Sequence, residues 1–436
     1  MIHGLKDVRV IDHASGIAGP YCSKLFADAG ADVIKLEAPG GDPLRRWSAT
    51  GADLAGRDGG LFRYLNASKR SVVGTLADAE TDALLAGTDL LIEDLVPDEL
   101  DRRGLRERHP GLVLLSITPF GLTGPLAGRA ATDFTIQAEG ASIGARWRPG
   151  GDPYRAGGEV SAWTGGSFAS VAALAAVRNA QETGLGEHID FSLQEVTALA
   201  TNCYIDLMWG ILGRPPVTGM LPNLETPSIE PTRDGFVGFT TYSSQQMSDF
   251  LLMIERPELR ESGEFQQLAQ RLARLEEWEA IVRGYTRERT TAEIVELAQL
   301  MRIPVAPVTN GKTVLEQEQL VARSVFAKDP SGDFSRPLPP YRIDGETLPP
   351  PRPAPALGAD TGRIEAHAPK RPAKPTSRRL PLEGLRIIDA TNWWAGPMAT
   401  HLLAALGADV IHVESVQRMD GGRAVGGMFA SQHDAW

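Results

Sequence analysis

The segment LKDVRVIDHASGIAGPYCSKLFADAGADVIKLE, Leu5 to Glu37, recurs almost at the end of the chain as LEGLRIIDATNWWAGPMATHLLAALGADVIHVE, Leu382 to Glu414. The two copies align without a gap at an offset of 377 residues, with 15 identities in 33 positions. Whatever the segment encodes, the chain encodes it twice. VRVID (Val8–Asp12) is a short β-rich run followed by a Gly/Ala loop. Cys22, Leu25, Phe26 and Ala29 then recur at i, i+3, i+4, i+7, which places them on one helix face. In the late copy these positions are Ala399, Leu402, Leu403 and Leu406, all apolar. Gly30 suits a helix end, and ADVIKLE reads as a second strand. Strand, helix, strand at this spacing predicts a parallel pair.

The alternation continues after the first copy. A helix is predicted over Ala77–Leu85, strands over Asp89–Glu93, Leu112–Ile117 and Ile189–Leu193, a buried Ala-rich helix over Gly166–Arg178, and a long helix over Gln194–Gly210. From about Pro227 the texture changes to one strand-like run (DGFVGFTTY), charged amphipathic helices between Ser244 and Arg302, and the strand-like IPVAPV (Ile303–Val308). Residues 348–380 are rich in Pro, Ala and Arg, which predicts an extended linker with no packed core.

A length of 436 residues predicts two or three domains, and 42% apolar with 23% charged residues is ordinary for a globular protein. The net charge of −11 argues against non-specific binding to nucleic acid or anionic membranes. With only Cys22 and Cys203, both on apolar helical faces, a disulfide scaffold is excluded and a cytoplasmic location is expected. No signal-like run opens the chain, and no stretch reads as the ~18 consecutive apolar residues of a membrane span. The eight histidines have no metal-ligand spacing, and GxGxxG, GxSxG and P-loop motifs are absent.

Several stretches occur in a telling order: AGP (Ala18–Pro20), VIKLEAPGGDPLR (Val33–Arg45), LNASKRSV (Leu65–Val72), DLLIEDLVPDELDRRGL (Asp89–Leu105), HPGLVLLSITPFGLTGP (His109–Pro125), GLGEHIDFSL (Gly184–Leu193), IPVAPV and PALGADT (Pro355–Thr361). Together they resemble the family III CoA-transferases, the group that includes formyl-CoA transferase, carnitine CoA-transferases and α-methylacyl-CoA racemases. The resemblance spans residues 4 to about 361, then restarts.

It implies an α/β fold, a Rossmann-like parallel-sheet large domain with a smaller α+β domain, assembled as an interlocked dimer or a tandem pseudo-dimer. The expected division is 1–226 for the large CoA-binding domain, 227–330 for the small domain, 331–361 for a segment returning to the large one, 362–380 for the linker, and 381–436 for the truncated start of a second unit. The implied reaction moves CoA between an acyl-CoA thioester and a carboxylic acid, with CoA as the only cofactor and no metal. An aspartate attacks the donor thioester, passing through an acyl-aspartyl anhydride and an aspartyl-CoA thioester. The resemblance assigns CoA contacts to Ala18, Gly19, Lys69, Arg70, Asp94, Leu95 and Arg102. Asp94-Leu95 replaces the family's Asn-Phe, which predicts weaker CoA binding.

The nucleophile is expected in the pattern G-x-x-x-x-D-x-x-x-G. Here GGEVSAWTGG, counted from Gly157 to Gly166, puts Ala162 in its place. Glu159 is the one nearby substitute, with a solvent-facing loop carboxylate as the preferred reading. The racemase alternative needs a His-Asp pair where this chain has Thr132-Asp133. Three readings follow: the first unit of a tandem transferase (the class includes transferase/lyase types), a non-catalytic subunit of a hetero-oligomer, or an enzyme using Glu159.

Overall fold

The first copy opens a parallel sheet. The computed structural model describes residues 4–140, 142–143, 154–201, 226–241, 243–369, 371, 376–392, 395–417 and 420. β1 (Arg9–Asp12), α1 (Ala18–Asp28) and β2 (Asp32–Glu37) form the predicted strand–helix–strand, with Arg9 opposite Asp32 and Asp12 opposite Lys35. Then come α2 (Gly60–Leu65), β3 (Arg70–Val73), α3 (Ala79–Ala86), β4 (Leu90–Glu93), α4 (Arg102–Arg108), β5 (Val113–Thr118), α5 (Asp133–Glu139), α6 (Val160–Thr183), β6 (His188–Ser192) and α7 (Leu193–Thr201). The six strands are all parallel, in the order β3-β2-β1-β4-β5-β6. Every residue of β4 and β5 is buried, as expected for central strands covered on both faces. One face packs Val10, Val33, Ile92 and Leu115 against α1 and α6; the other packs Ile11, Ile34, Leu91 and Leu114 with Leu85 of α3 and Leu105 of α4.

Two segments differ from the sequence reading. α6 begins at Val160, six residues before the predicted start. Gly165 and Gly166 are weak helix formers that signal a boundary, but here they serve close packing. A Cβ on Gly166 would lie 2.6 Å from the Ala18 carbonyl oxygen, so only glycine lets α1 and α6 approach this far. α6 is also long and apolar enough by composition to cross a membrane. Its Ala169, Ala173, Ala176 and Ala180 are buried against the sheet and α1. The helix predicted over Gln194–Gly210 is seen as α7 to Thr201; its remainder and Cys203 lie outside the described residues.

By contact density the chain forms two units, one of Met1–Arg146, Pro153–Thr218 and Ala327–Trp436, the other of Trp147–Asp152 and Gly219–Phe326. The smaller carries a three-stranded antiparallel sheet of β7 (Ile229–Pro231), β8 (Phe236–Phe239) and β9 (Val305–Pro307). Helices cover it around a core of Trp278, Phe250, Phe265 and Val237.

In the larger unit, residues 352–361 run back along β3. Asp360 Oδ2 accepts from the Ser71 N–H at 2.9 Å, the Asp360 N–H returns to Ser71 O, and Thr361 Oγ1 accepts from Val73 N–H. No strand or helix forms over the described residues of 362–380, yet that stretch is pinned to the sheet's amino end. Arg9 donates to Glu365 O at 2.9 Å and Arg371 to Thr88 O at 2.7 Å, while Ile364 packs on the core.

The late copy keeps the offset in three dimensions. Strands Arg386–Asp389 and Asp409–His412 flank helix Ala395–Ala405, with Arg386 opposite Asp409 and Asp389 opposite His412. The N–H of Leu5 binds Ala29 O in one copy and that of Leu382 binds Leu406 O in the other; Gly30 and Gly407 have φ of 96° and 103°. This two-stranded sheet stands apart from the six-stranded one. One side packs Leu382, Leu385, Leu403 and Val410 onto Ala175 of α6. Its other side is open: Ile388, Ile411 and Val413 are 71%, 44% and 54% exposed, where their counterparts Ile11, Ile34 and Leu36 are 1%, 0% and 3%.

Candidate functional site

The chain runs outward from β1 through β2 to β3, then returns to place β4 on the other side of β1. The carboxyl ends of β1 and β4 are therefore the reversal point of the sheet, where open α/β sheets bind ligands. Beyond β1, the loop His13–Ile17 leads into α1, whose first turn holds Ala18 and Gly19 and has no side-chain cap. A Cβ on Gly19 would lie 2.2 Å from that of Ala14, so glycine is needed for the loop to fold back on the helix. The free first-turn N–H groups can receive an anion.

A buried charge network holds this loop. Asp12, fully enclosed, accepts from Ser23 Oγ at 2.6 Å and Lys69 Nζ at 2.8 Å, with Lys35 Nζ 3.6 Å away. Lys69 also donates to Pro20 O, Ser23 Oγ and Asn66 Oδ1. Lys35 bonds the Ala14 carbonyl and pairs with Asp42 at 3.0 Å. Burial pushes Asp12 upward, but Lys35 and Lys69 outweigh it and hold the carboxyl at about 2. Burial, only partly opposed by Asp12, pushes Lys69 down to about 8. Glu37 does not pair with Lys35; it takes Arg45 through two bonds of 2.7 Å and accepts from Ser71 Oγ.

The late copy repeats the core of the network. Asp389 accepts from Thr400 Oγ1 at 2.7 Å and from Thr391 N–H at 2.9 Å, with His412 Nδ1 at 3.3 Å; these stand where Ser23, Ala14 and Lys35 stand around Asp12.

The residues assigned by resemblance fall in three places. Ala18 and Gly19 lie at the reversal point, beside Asp94 at the end of β4. Asp94 Oδ2 accepts from both the N–H and the hydroxyl of Ser15 at 2.8 Å, and burial raises its pKa against the pull of Ser15 and Lys35. Next, Leu95 donates its N–H to Glu93 and its carbonyl accepts from Arg102 at 2.6 Å. Arg102 also forms a paired bridge to Glu93 at 2.9 and 3.0 Å and bonds Pro97 O, so its donors are engaged inside the protein. The Lys69 ammonium is enclosed as described, and Arg70 pairs with Asp32 at the start of β2, near the sheet's amino end.

Ala162 sits in the first turn of α6, partly buried on the core cluster that includes Ala18. Asp133, the second residue of the pair Thr132-Asp133, caps this helix: its Oδ1 accepts from Ser161 N–H at 2.8 Å. Glu159 precedes the helix in the left-handed region at φ 58°, half-exposed and 3.6 Å from Arg155. The neighbouring Trp163 closes one wall of a cleft of about 500 Å³ with Tyr21, Leu61, Tyr64 and Phe334, and Tyr21 meets it edge-on at 4.8 Å. Sequence reasoning missed Asp12, Ser23, Asn66 and Ser15. Only Asp12 carried a signal, as an acid closing an apolar strand run and kept in both copies.

The chain matches the description of CoA-transferase family III twice, over residues 5–361 and 382–436. It is 31% identical over 435 residues to the probable CoA-transferase Rv1866 of Mycobacterium tuberculosis, covering 95% of this chain and 54% of that protein. The chain thus spans about half the length of that relative. It is 30% identical over 340 residues to the succinate–glutarate CoA-transferase of Agrobacterium fabrum, covering 74% of this chain and 84% of the relative. The crystal structure of a CAIB/BAIF family protein from Brucella suis superposes with a TM-score of 0.71 at 26% identity, over 82% of this chain and 97% of that one.

Proposed function

This chain belongs to CoA-transferase family III, and from that premise we propose that it is the leading half of a tandem enzyme that moves CoA from an acyl-CoA thioester to a carboxylic acid. In this reading its own unit supplies a pseudo-dimer partner without the nucleophilic aspartate. The observation that carries it is Ala162: a methyl group stands in the capped first turn of α6 where the family resemblance expects a carboxylate. The tandem arrangement rests on the second family match, on the preserved offset, and on a late-copy sheet face exposed where the first copy is buried. A relative about twice as long supports the same arrangement.

The reversal point suits CoA in part. Uncapped N–H groups at the head of α1 favour a phosphate, while the Asp94 carboxylate beside Ser15 opposes a polyanion. Arg102 would act by fixing Leu95 and Glu93 at the crevice wall. The cleft beside Trp163 would take the acyl portion, and short dicarboxylic acids are the first acceptors to try, given the succinate–glutarate relative.

The test is CoA exchange between succinyl-CoA and glutarate by the 436-residue chain, followed by chromatography. The chain alone should give no exchange. Ala162→Asp should give measurable exchange and a thioester on the protein that hydroxylamine cleaves. Exchange by the unaltered chain that Glu159→Gln abolishes would transfer the nucleophile to Glu159 and overturn the proposal; exchange that survives Glu159→Gln would overturn it as well.

A further inference from the structure

Away from the reversal point, α4, the start of β6 and the 376–380 stretch enclose a cleft of about 450 Å³, whose charged and polar lining is Arg102, Arg103, Arg106, Glu107, His188 and Arg378. Two of these guanidiniums are already matched: Arg102 by Glu93 and Arg103 by Glu107 at 2.9 Å each. Arg106 and Arg378 have no hydrogen bond or ion pair within reach among the described residues. Glu187 is drawn to both arginines, and bonded to Asn179, without closing an ion pair with either. The Ser116 hydroxyl donates to Glu93, so the half-buried His188 donates its Nε2–H to Ser116 Oγ at 3.0 Å, and burial with Arg106 and Arg102 pushes its pKa down. Arg378 is exposed and Arg106 partly buried, so the cleft presents two guanidiniums that no carboxylate pairs directly, and an anion between them would gain from both.

The side holding Arg378 is fixed in place. Arg379 pairs with Glu182 and bonds Asn179 Oδ1 at 3.2 Å, and the Thr376 N–H bonds Thr183 O at 2.9 Å. These contacts hold the backbone on both sides of Arg378 against the end of α6, so one wall of the cleft is built by the segment joining the two copies.

We propose that this cleft binds a phosphate-type anion, with Arg106 and Arg378 as its paired guanidinium donors. Planar guanidiniums suit phosphate oxygens through paired charge-assisted bonds. Binding would tie the joining segment to α4 and β6, fixing where the late copy starts. Arg102, the lining residue that the resemblance assigns to CoA, is turned onto Glu93 and the Leu95 carbonyl, which leaves the anion to Arg106 and Arg378.

Inorganic pyrophosphate titrated calorimetrically into the 436-residue chain at low salt should show one site. Arg106→Gln and Arg378→Gln should each weaken it about tenfold, while Arg274→Gln, in the smaller unit and paired with Glu277, should leave it unchanged. Glu187→Gln should tighten it, because the competing carboxylate is gone. Pantetheine, the phosphate-free portion of CoA, should not displace pyrophosphate. The proposal is overturned by no heat of binding, by unchanged affinity in both arginine variants, or by displacement with pantetheine, which would place the anion at the reversal point instead.

Discussion

Lys69 Nζ lies 2.8 Å from Asp12 Oδ2 with both side chains wholly out of solvent, and the same carboxylate also faces Lys35. One acid serving two ammonium groups is why Asp12 is held low while Lys69 is not held high. Removing Lys69 takes a donor from Asp12, Ser23, Asn66 and Pro20 at once. Lys69→Met should cost about 3–5 kcal/mol, the range for breaking a buried pair, measured by urea denaturation. The pH terms run in opposite directions. Asp12, at about 2 against an ordinary 3.8, contributes fully above pH 3.8 and loses its share, about 2 kcal/mol, as pH falls towards 2. Lys69, at about 8 against 10.5, is penalised while charged, so its own term lifts as pH rises from 8 to 10.5. A stability profile flat between pH 4 and 2 would contradict the Asp12 assignment.

Ile11 and Ile388 occupy one position of the repeat and opposite environments, 1% and 71% exposed. Ile11→Ala should cost about 2–5 kcal/mol through a cavity in the sheet core. Ile388→Ala should stay within about 0.5 kcal/mol. Equal costs in the 436-residue chain would mean that the late face is covered after all. In a longer protein carrying a complete second unit, Ile388→Ala should acquire the larger cost.

The β–α–β units were legible because each is local: apolar runs of four to six residues and one i, i+3, i+4, i+7 stripe are read within 33 residues. Strand order was not, since nothing in the run Leu90–Glu93 says that it pairs with β1, some 80 residues earlier, and not with β3. The start of α6 was hidden by Gly165 and Gly166, whose low helix propensity is overridden by contact with Ala18 and Leu193. At the candidate site the resemblance located Arg102 and Lys69, but hydrogen bonding decides what they can do. Glu93 lies nine residues before Arg102 and Asp12 lies 57 before Lys69, and no pattern in the chain links them.

Asp94 carries a carboxylate into a partly buried position at the reversal point. Its pKa is raised by burial, with Asp12 adding to the effect and Ser15 and Lys35 opposing it. An acid raised on folding costs stability once ionised. The cost is absent where both states are protonated, below about pH 3.8, and grows as pH rises past that ordinary value. Asp94→Asn keeps an acceptor for Ser15 and removes the charge, so it should stabilise the fold at pH 7 by about 1 kcal/mol or less. The difference from the parent chain should shrink on acidification. A destabilising effect at pH 7 would show that the charge itself, through Lys35, holds the loop.

The Asp133–Ser161 bond ties α5 to the helix that carries Ala162. Asp133 also accepts from Gln137 Nε2 at 2.5 Å, and Gln137 in turn donates to and accepts from Ala156, so one carboxylate organises both the first turn of α6 and the loop before it. Asp133→Ala removes the cap and takes from the Gln137 amide one of its two acceptors, leaving the Ala156 carbonyl. Loss of about 0.5–2 kcal/mol is expected, with faster amide exchange at Ser161, Ala162 and Trp163. Asp133→Asn retains an acceptor oxygen and should lose much less. The pair of variants also bears on catalysis. If Ala162→Asp creates a nucleophile, its carboxylate depends on this turn, so adding Asp133→Ala should erase the gained exchange while Asp133→Asn should largely preserve it. Equal exchange in both double variants would mean that the head of α6 is positioned by its packing on α1 rather than by its cap.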